Sequence, residues 1–299
     1  MRNRGLGLLA ALAVTSGPRA ALAQRDALAA RVTERVAASG GEVAVFFRTL
    51  DGRDSLFLHP DLRFHAASTM KLPVMIQVFR DADSGRVRLD DRIDVRRTFR
   101  SIMDGSAYDL NPADDSDSTL YARVGGQASV RQLVDLMITR SSNLAANLLI
   151  DLVSAARVNR TAHQLGADSI AVLRGVQDIP AFNAGLNNNT TARDLGVLLW
   201  AVAQEEAASP EACREMISVL ERQRFNDGIP ALLPRGTRVA HKTGDITGIN
   251  HDAGIVYPRR GRPYVLVVLT RGLEDPKASS RLIADLSLLV YRHVTGRRR

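Results

Sequence analysis

Ser68 and Lys71 stand three residues apart in "HAASTMKLP", where a strand-like segment gives way to the apolar run "VMIQVF". At the start of a helix this spacing puts both side chains on one face, one turn apart. A serine hydroxyl is a poor nucleophile at neutral pH and needs a nearby base. A lysine provides that base only where burial or a neighbouring positive charge lowers its pKa. The pair predicts a nucleophile with its base, although a helix N-cap serine beside a surface lysine has the same spacing.

A second motif, Ser141-Ser142-Asn143, lies between two helical segments. A serine there could relay a proton from Lys71, and the asparagine amide could hold an amide of a substrate. The same residues are also typical of an N-cap pair, so the motif alone does not decide between the two.

A third motif is "HKTG", residues 241–244, at the end of a predicted strand. Lys242 and Thr243 would present a cation and a hydroxyl to a substrate carboxylate. Gly244 would let a substrate backbone approach the strand edge, because it carries no side chain.

Together the motifs follow the order S-x-x-K, S-x-N and K-T-G, which are the elements of the penicillin-recognising serine enzymes. The sequence resembles the class A β-lactamases most closely. "SSNLAANLLI" is similar to the helix that follows the second motif in that family, including Asn147. A K-T-G strand followed by two more strands and a terminal helix also matches. The resemblance covers about residues 40–294.

The resemblance implies a role for each matching position. Ser68 would be the acylated nucleophile, and Lys71 its general base or the lysine that tunes that base. Ser141 would pass a proton to the lactam nitrogen as the ring opens. The substrate-binding positions would be Asn143, Lys242, Thr243, Gly244, Asp245 and Asn183. The backbone N–H groups of Ser68 and Asp245 would form the oxyanion hole, and neither a metal nor a cofactor would be needed.

One loop departs from the family pattern. Class A enzymes carry a glutamate in E-x-x-L-N that activates the deacylating water. Aligning Phe182-Asn183 with Leu-Asn puts Ile179 where the glutamate should be, within "VQDIPAFNAGLNNNTT". Asp178, one residue away, is the only carboxylate of this loop before Asp194. A shift of one residue would make Asp178 the catalytic base, with a side chain one methylene shorter.

Two other departures are smaller. Ser142 replaces the middle aspartate of S-D-N, a residue that is usually structural, so we expect a modest effect. Residues 99–126 resemble an insertion at the cleft rim, in which Tyr108 or Tyr121 would stack on a substrate or be plain surface aromatics.

The acidic run of this segment does not fit a calcium loop. His241 and His251 lack a third ligand at fitting spacing for zinc.

The spacing of apolar positions predicts the elements that hold these residues. Helices are expected over 25–40, 68–85, 129–140, 142–154, 191–205 and 277–294, and strands over 42–50, 54–60, 238–244, 251–258 and 262–272; residues 176–191 are expected to be a polar loop without either. Strands from both chain ends must share one antiparallel sheet, because neither set is sufficient alone. The predicted fold is an α/β (α+β) sandwich with helices from both chain ends and an inserted all-helical lobe, about 68–225. The cleft would lie where the two meet.

The first residues have the order of a secretory signal peptide. Arg2 and Arg4 precede the apolar stretch 6–14, and Ala21-Leu22-Ala23 offers small residues for cleavage after Ala23. The predicted organisation is therefore a signal peptide, 1–23, and one catalytic domain, 24–299. We expect a periplasmic or secreted monomer without a membrane anchor after cleavage. Cys213 is the only cysteine, which excludes an intramolecular disulfide.

The formal net charge of the full chain is +8. No basic helix or stripe of alternating basic and aromatic residues accompanies this excess, which argues against nucleic acid as a partner. A solvated basic surface near anionic envelope polymers accounts for it.

These residues are compatible with three functions. The first is a serine β-lactamase that hydrolyses the antibiotic ring through an acyl-enzyme on Ser68 and gives resistance; its partner is a small-molecule β-lactam. The second is a D-alanyl-D-alanine peptidase or a slowly deacylating penicillin-binding protein. The third, an inactive envelope-binding module, is disfavoured by the intact Ser68, Lys71, Ser141 and Lys242. The deacylating base separates the first two, and the chain size and removable leader favour the first.

Overall fold

The computed structural model describes residues 18–273 and 275–296. Its helices are α1 Pro18–Ala37, α2 Lys71–Asp83, α3 Val130–Thr139, α4 Asn143–Val153, α5 Ala155–Gln164, α6 Ile179–Asn183, α7 Ala192–Ala203, α8 Pro210–Glu221 and α9 Pro276–Thr295. Short 3-10 helices cover Ala67–Met70, Pro112–Asp114 and Thr119–Arg123. Most of the predicted leader lies outside the described residues. None of the described helices is both long and apolar enough to cross a membrane.

The strands are β1 Glu42–Thr49, β2 Ser55–Leu58, β3 Phe64–His65, β4 Arg92–Asp94, β5 Thr98–Arg100, β6 Ala107–Asp109, β7 Gln127–Ser129, β8 Asn189–Thr190, β9 Arg238–Ile246, β10 Ile249–Tyr257 and β11 Tyr264–Arg271. Five of them form the main sheet in the order β2-β1-β11-β10-β9. Strand β1 pairs antiparallel with β11, with Val45 opposite Val268. The prediction that both chain ends share one antiparallel sheet is confirmed.

Both faces of this sheet are buried, and each face has its own apolar cluster. On β11, Val265 and Val267 belong to the cluster that includes α7 and the helices around α2, whereas Leu266 and Val268 pack with α1 and α9. A Cβ atom on Gly196 of α7 would lie 2.4 Å from the Phe46 ring, so glycine is required for α7 to approach the sheet this closely. Helices from both chain ends therefore cover one face, as predicted, and helices from the inserted part cover the other.

The segment 176–191 differs from its prediction as a loop without regular structure. It contains α6, and Thr190 of β8 pairs with Phe64 of β3. Asp178 accepts a hydrogen bond from the N–H of Ala181 as the N-cap of α6, and a proline lies in the first turn. An N-cap and an early proline favour a helix start, and they outweigh the asparagine-rich composition that follows.

Candidate active site

Ser68 lies in the 3-10 turn that leads into α2, and Lys71 is the first residue of that helix. The turn begins with Ala67 at a φ of 45°, a backbone conformation that non-glycine residues seldom adopt. Lys71 is fully buried, and its Nζ donates to Ser68 Oγ over 3.0 Å. The structure therefore brings together the first predicted pair at hydrogen-bonding distance, which is what proton transfer between them requires.

Burial has the expected effect on the Lys71 amine. Desolvation lowers the pKa of Lys71 to about 7, and the nearby negative charge of Asp115 opposes that shift. At neutral pH a substantial fraction of this amine is therefore unprotonated and able to accept a proton. A surface lysine, with a pKa near 10.4, could not do so.

Ser141 connects the two motifs that the sequence places far apart. Its Oγ lies 3.3 Å from Lys71 Nζ and 3.1 Å from Lys242 Nζ, so one hydroxyl contacts both amines. Its φ is 58°, and its carbonyl oxygen also accepts a hydrogen bond from Lys71. This position suits a proton relay, because the hydroxyl can donate to a substrate atom and take a proton from an amine.

Lys242 and Thr243 lie on β9, beside Ser141. Lys242 is fully buried, and burial together with the charge of Lys71 lowers its pKa well below the ordinary value. Its Nζ also donates to the carbonyl oxygen of Thr243 over 2.8 Å. A substrate carboxylate placed here would favour the charged form of Lys242, since an opposite charge nearby stabilises an ammonium.

Asn143 begins α4 and lies next to Lys71. Its Oδ1 accepts from Lys71 Nζ over 2.8 Å, and its Nδ2 donates to the carbonyl oxygen of Asp114 over 3.2 Å. The Asp115 carboxylate accepts from the N–H groups of Asn143 and Leu144. Sequence reasoning did not single out this carboxylate; the acidic run "ADDSD" was its only signal.

Gly244 has a different neighbour from the one predicted. A Cβ atom at this position would lie 3.1 Å from the backbone nitrogen of Thr69 and 3.2 Å from the Ala67 side chain. Its lack of a side chain therefore makes room for the turn that carries Ser68, and the approach of a substrate backbone stays a prediction. Asp245, the next residue, lines the cleft, and burial raises its pKa. The oxyanion hole from the N–H groups of Ser68 and Asp245 stays a prediction.

Asp178 is not placed as predicted. Its side chain is fully buried, and its two oxygens accept hydrogen bonds from the N–H of Ala181 over 3.2 Å and from the N–H of Ile102 over 3.0 Å. These contacts cap α6 and attach it to the neighbouring loop. It is the next side chain, Ile179, that lines the cleft, and 56% of it is exposed. Asp178 is thus a capping residue, because one step along a helix start turns a side chain to another face.

Two adjoining cavities of about 180 and 340 Å³ form the cleft, and both are lined by Ser68, Ser116 and Asp245. Ser141 and Thr243 line the smaller one, whereas Asn143 and Ile179 line the larger one. Asn183 is exposed at the end of α6 and does not line either cavity. Its predicted contact with substrate therefore finds no support in this arrangement.

The two buried histidines of the sheet have protein partners. His241 Nδ1 lies 2.9 Å from an oxygen of Asp252, and His251 Nε2 lies 3.0 Å from the carbonyl oxygen of His65. Among residues 18–273 and 275–296, no three histidine, cysteine or acidic side chains are grouped as a metal site would need.

In comparisons with known proteins, the model of the β-lactamase enzyme family matches residues 27–294. A β-lactamase of Bacillus licheniformis is 28% identical to this chain, and the alignment covers 78% of this chain and 73% of the Bacillus protein. A β-lactamase structure from Sphaerobacter thermophilus has 31% identity and a TM-score of 0.77, covering 90% of this chain and 97% of that one. PBP-A has 29% identity and a TM-score of 0.76, covering 89% and 95%.

Proposed function

Because the chain belongs to the β-lactamase enzyme family, we propose that it is a class A-like serine enzyme that β-lactams acylate at Ser68 and that releases the acyl group slowly. One observation carries the proposal: the groups needed for acylation are in mutual contact, whereas the side chain at the deacylating position, Ile179, cannot accept a proton.

Acylation follows from the contacts around Lys71. The neutral Lys71 amine takes the proton from Ser68 Oγ, which lies 3.0 Å away, as Oγ attacks the lactam carbonyl carbon. The lactam C–N bond then breaks, and the nitrogen takes a proton from Ser141 Oγ. Ser141 regains a proton from Lys71 or Lys242, since its hydroxyl contacts both amines. Covalent catalysis of this kind divides one difficult hydrolysis into two easier steps.

The substrate would be held on both sides of the reacting bond. Lys242 and Thr243 would bind the carboxylate next to the ring nitrogen, where the charge interaction is strengthened by burial. Asn143, which lines the larger cavity, would bind the side-chain amide on the other side. In this orientation the lactam carbonyl would lie over Ser68.

Deacylation needs a group that takes a proton from water. Such a base typically contributes about 10²- to 10⁴-fold. The Asp178 carboxylate is bound to two backbone N–H groups, and Ile179 presents only carbon to the cleft. The acyl-enzyme should therefore accumulate.

Two kinds of relative support the chemistry. Curated relatives from several bacteria are named β-lactamases. A PBP-A variant with a leucine changed to glutamate was solved as an acyl-enzyme complex with penicillin G, and it is 29% identical with a TM-score of 0.74. We extend acylation by penicillins from that protein to this chain.

A second candidate is a rapid β-lactamase that gives resistance. The observation that favours it is the pKa of Lys71, about 7, since an amine that is partly neutral could also activate water. A D-alanyl-D-alanine peptidase would share the acylation machinery and differ in its substrate. For each of these functions, the leader-like residues 1–23 support a proposed periplasmic or secreted location.

Intact-mass spectrometry of the purified chain with penicillin G tests the proposal. We expect the mass of the whole antibiotic to be added to the protein, and peptide masses to place it on the peptide that contains Ser68. Nitrocefin should give a burst followed by slow turnover. Ser68→Ala should abolish the adduct, whereas Ser116→Ala, which removes another hydroxyl from the cleft, should retain it. An adduct that survives in Ser68→Ala would overturn the nucleophile. Fast, steady nitrocefin turnover without an adduct would overturn slow release and favour the second candidate.

A further inference from the structure

The segment before α3 reaches the start of α4 through the side chain of Asp115. Asp115 places both carboxylate oxygens 2.9 Å from the N–H of Asn143, and one of them 3.0 Å from the N–H of Leu144. The hydroxyl of Tyr121 donates to the same carboxylate over 3.0 Å. Free N–H groups at a helix start bind anionic groups, so the Asp115 carboxylate caps the start of α4.

Asn143 is held by this segment at two points. Its backbone N–H is bound by the Asp115 carboxylate, and its side-chain Nδ2 donates to the carbonyl oxygen of Asp114. The remaining polar atom, Oδ1, accepts from Lys71. The orientation of the Asn143 amide towards Lys71 and the cleft is therefore set by two residues that lie 28 and 29 positions earlier in the chain.

We propose that Asp115 is a positioning residue for acylation, which fixes Asn143 and the turn carrying Ser141 from a separate segment of the chain. The proposal rests on the acylation of Ser68 described above. It also accounts for the S-S-N motif, in which the family's middle aspartate is missing. Ser142 caps only the N–H of Ala145, so the carboxylate at this helix start comes from Asp115 instead.

The charge of Asp115 acts on the base as well. The charged groups that face Lys71 are Asp115 and Lys242, and of these only Asp115 raises the pKa of Lys71 against the effect of burial. Removing that charge should lower the pKa of Lys71. Acylation requires the neutral amine, so its rate rises with pH through the pKa of Lys71. The acidic limb of the pH profile should therefore move to lower pH.

The test compares Asp115→Asn with Asp117→Asn, the same change two residues later. Asp117 also lies in this segment, but its carboxylate binds the side chains of Arg140 and Thr119. The measurement is the second-order acylation rate constant as a function of pH. It is made with penicillins that carry an acylamino side chain and with the penicillin ring system that lacks this side chain. In Asp115→Asn we expect the acylation rate constant to fall by about 10- to 100-fold with the acylamino penicillins and by less with the ring system that lacks the side chain. The acidic limb of the pH profile should move to lower pH. In Asp117→Asn the limb should stay in place.

Two more variants separate charge from position. Asp115→Glu keeps the charge but moves the carboxylate oxygens. Its acidic limb should lie at the same pH as in the natural protein, and its acylation rate constant should still be lower. Ser142→Asp, added to Asp115→Asn, returns a carboxylate to the family's position and should restore part of the rate. If Asp115→Asn does not fold, Asp115→Glu carries the test, and unchanged acylation by it would overturn the proposal.

The outcomes distinguish this proposal from the proposed function. A folded Asp115→Asn protein with the rate, substrate preference and pH limb of the natural chain would overturn the role of Asp115 and leave acylation of Ser68 intact. An equal loss of rate at every pH and for both compounds would reduce Asp115 to a structural residue. A natural chain that no penicillin acylates would instead refute the proposed function.

Discussion

The two sides of the cleft use their charged groups differently. On the side of α2, α4 and β9, two fully buried amines, Lys71 and Lys242, share contacts with Ser141 and depend on burial for their chemistry. On the side of residues 176–191, the one buried carboxylate, Asp178, binds two backbone N–H groups, and Ile179 faces the cleft. Under the proposed function, the first side forms the acyl-enzyme, whereas the contacts of Asp178 on the second side stabilise the local backbone. In the proposed function, acylation and deacylation therefore depend on separate regions of the cleft, and the variants below test whether one can change without the other.

The largest effect should come from the amine next to the nucleophile. Lys71→Met keeps the length of the buried chain but removes the base, and it should slow acylation by about 10²- to 10⁴-fold. In the natural protein the acylation constant should rise as pH increases through about 7, where Lys71 loses its proton. Stopped-flow measurement of the nitrocefin burst checks both. A rate that is flat across this range would mean that another group is the base.

Adding a carboxylate to the other side should separate the two regions. Ile179→Glu introduces an acid where the family has its glutamate, and we expect the acyl-enzyme to disappear faster by about 10²- to 10⁴-fold if the new side chain acts as a base. Ile179→Gln is the matched control, since it has the same shape without the charge. Acyl-enzyme decay by mass spectrometry is the readout. Equal lifetimes in the two variants would show that more than this side chain is missing.

Lys242 should act through charge on the substrate carboxylate. Lys242→Ala should lower the acylation constant by about 10- to 100-fold, in line with the loss of a charged hydrogen bond, and weaken initial binding. Lactams with an esterified carboxylate provide the control, because they lack the partner charge. If the acylation constant in Lys242→Ala falls as much with the esters as with the free acids, Lys242 serves the proton relay through Ser141 rather than substrate binding.

The smallest effect should follow a change at the buried carboxylate. Asp178→Asn removes the charge from a helix cap with two N–H donors, and it should lower the free energy of unfolding by about 1–2 kcal/mol. The lifetime of the acyl-enzyme should stay the same. Asp104→Asn, in the exposed turn next to Ile102, should change neither quantity. A longer-lived acyl-enzyme in Asp178→Asn would restore the interpretation of Asp178 as the base.

Local patterns in the sequence predicted much of the fold and the contact between Ser68 and Lys71. The spacing of Ser68 and Lys71 needs only a helix start, and the apolar strands at both ends require a common sheet. The meeting of Lys71 with Ser141 and Lys242 came from the family resemblance, because residues this distant have no local signal of contact.

The remaining features depend on geometry that composition does not carry. Asp178 and Ile179 are neighbours in the sequence, yet the start of α6 turns one inward and the other to the cleft. Asp115 contacts a helix that begins 28 residues later, and no periodicity links the two. At Gly244 the sequence predicts the approach of a substrate backbone, and composition gave no sign that the Ser68 turn packs against the same residue.

The pairing of β1 with β11 has a consequence for how the protein forms. These strands, residues 42–49 and 264–271, lie near opposite ends of the chain, and β9, which carries Lys242, joins the sheet only through β10 and β11. Contacts between such distant residues close long loops and slow folding. Until β11 lies between β1 and β10 the sheet is incomplete, and the strand that carries Lys242 has no connection to β1. The turn that carries Ser68 needs only neighbouring residues, whereas the contacts of Ser141 with Lys71 and Lys242 join residues 70 and 101 positions apart and form only with the long-range packing of the fold.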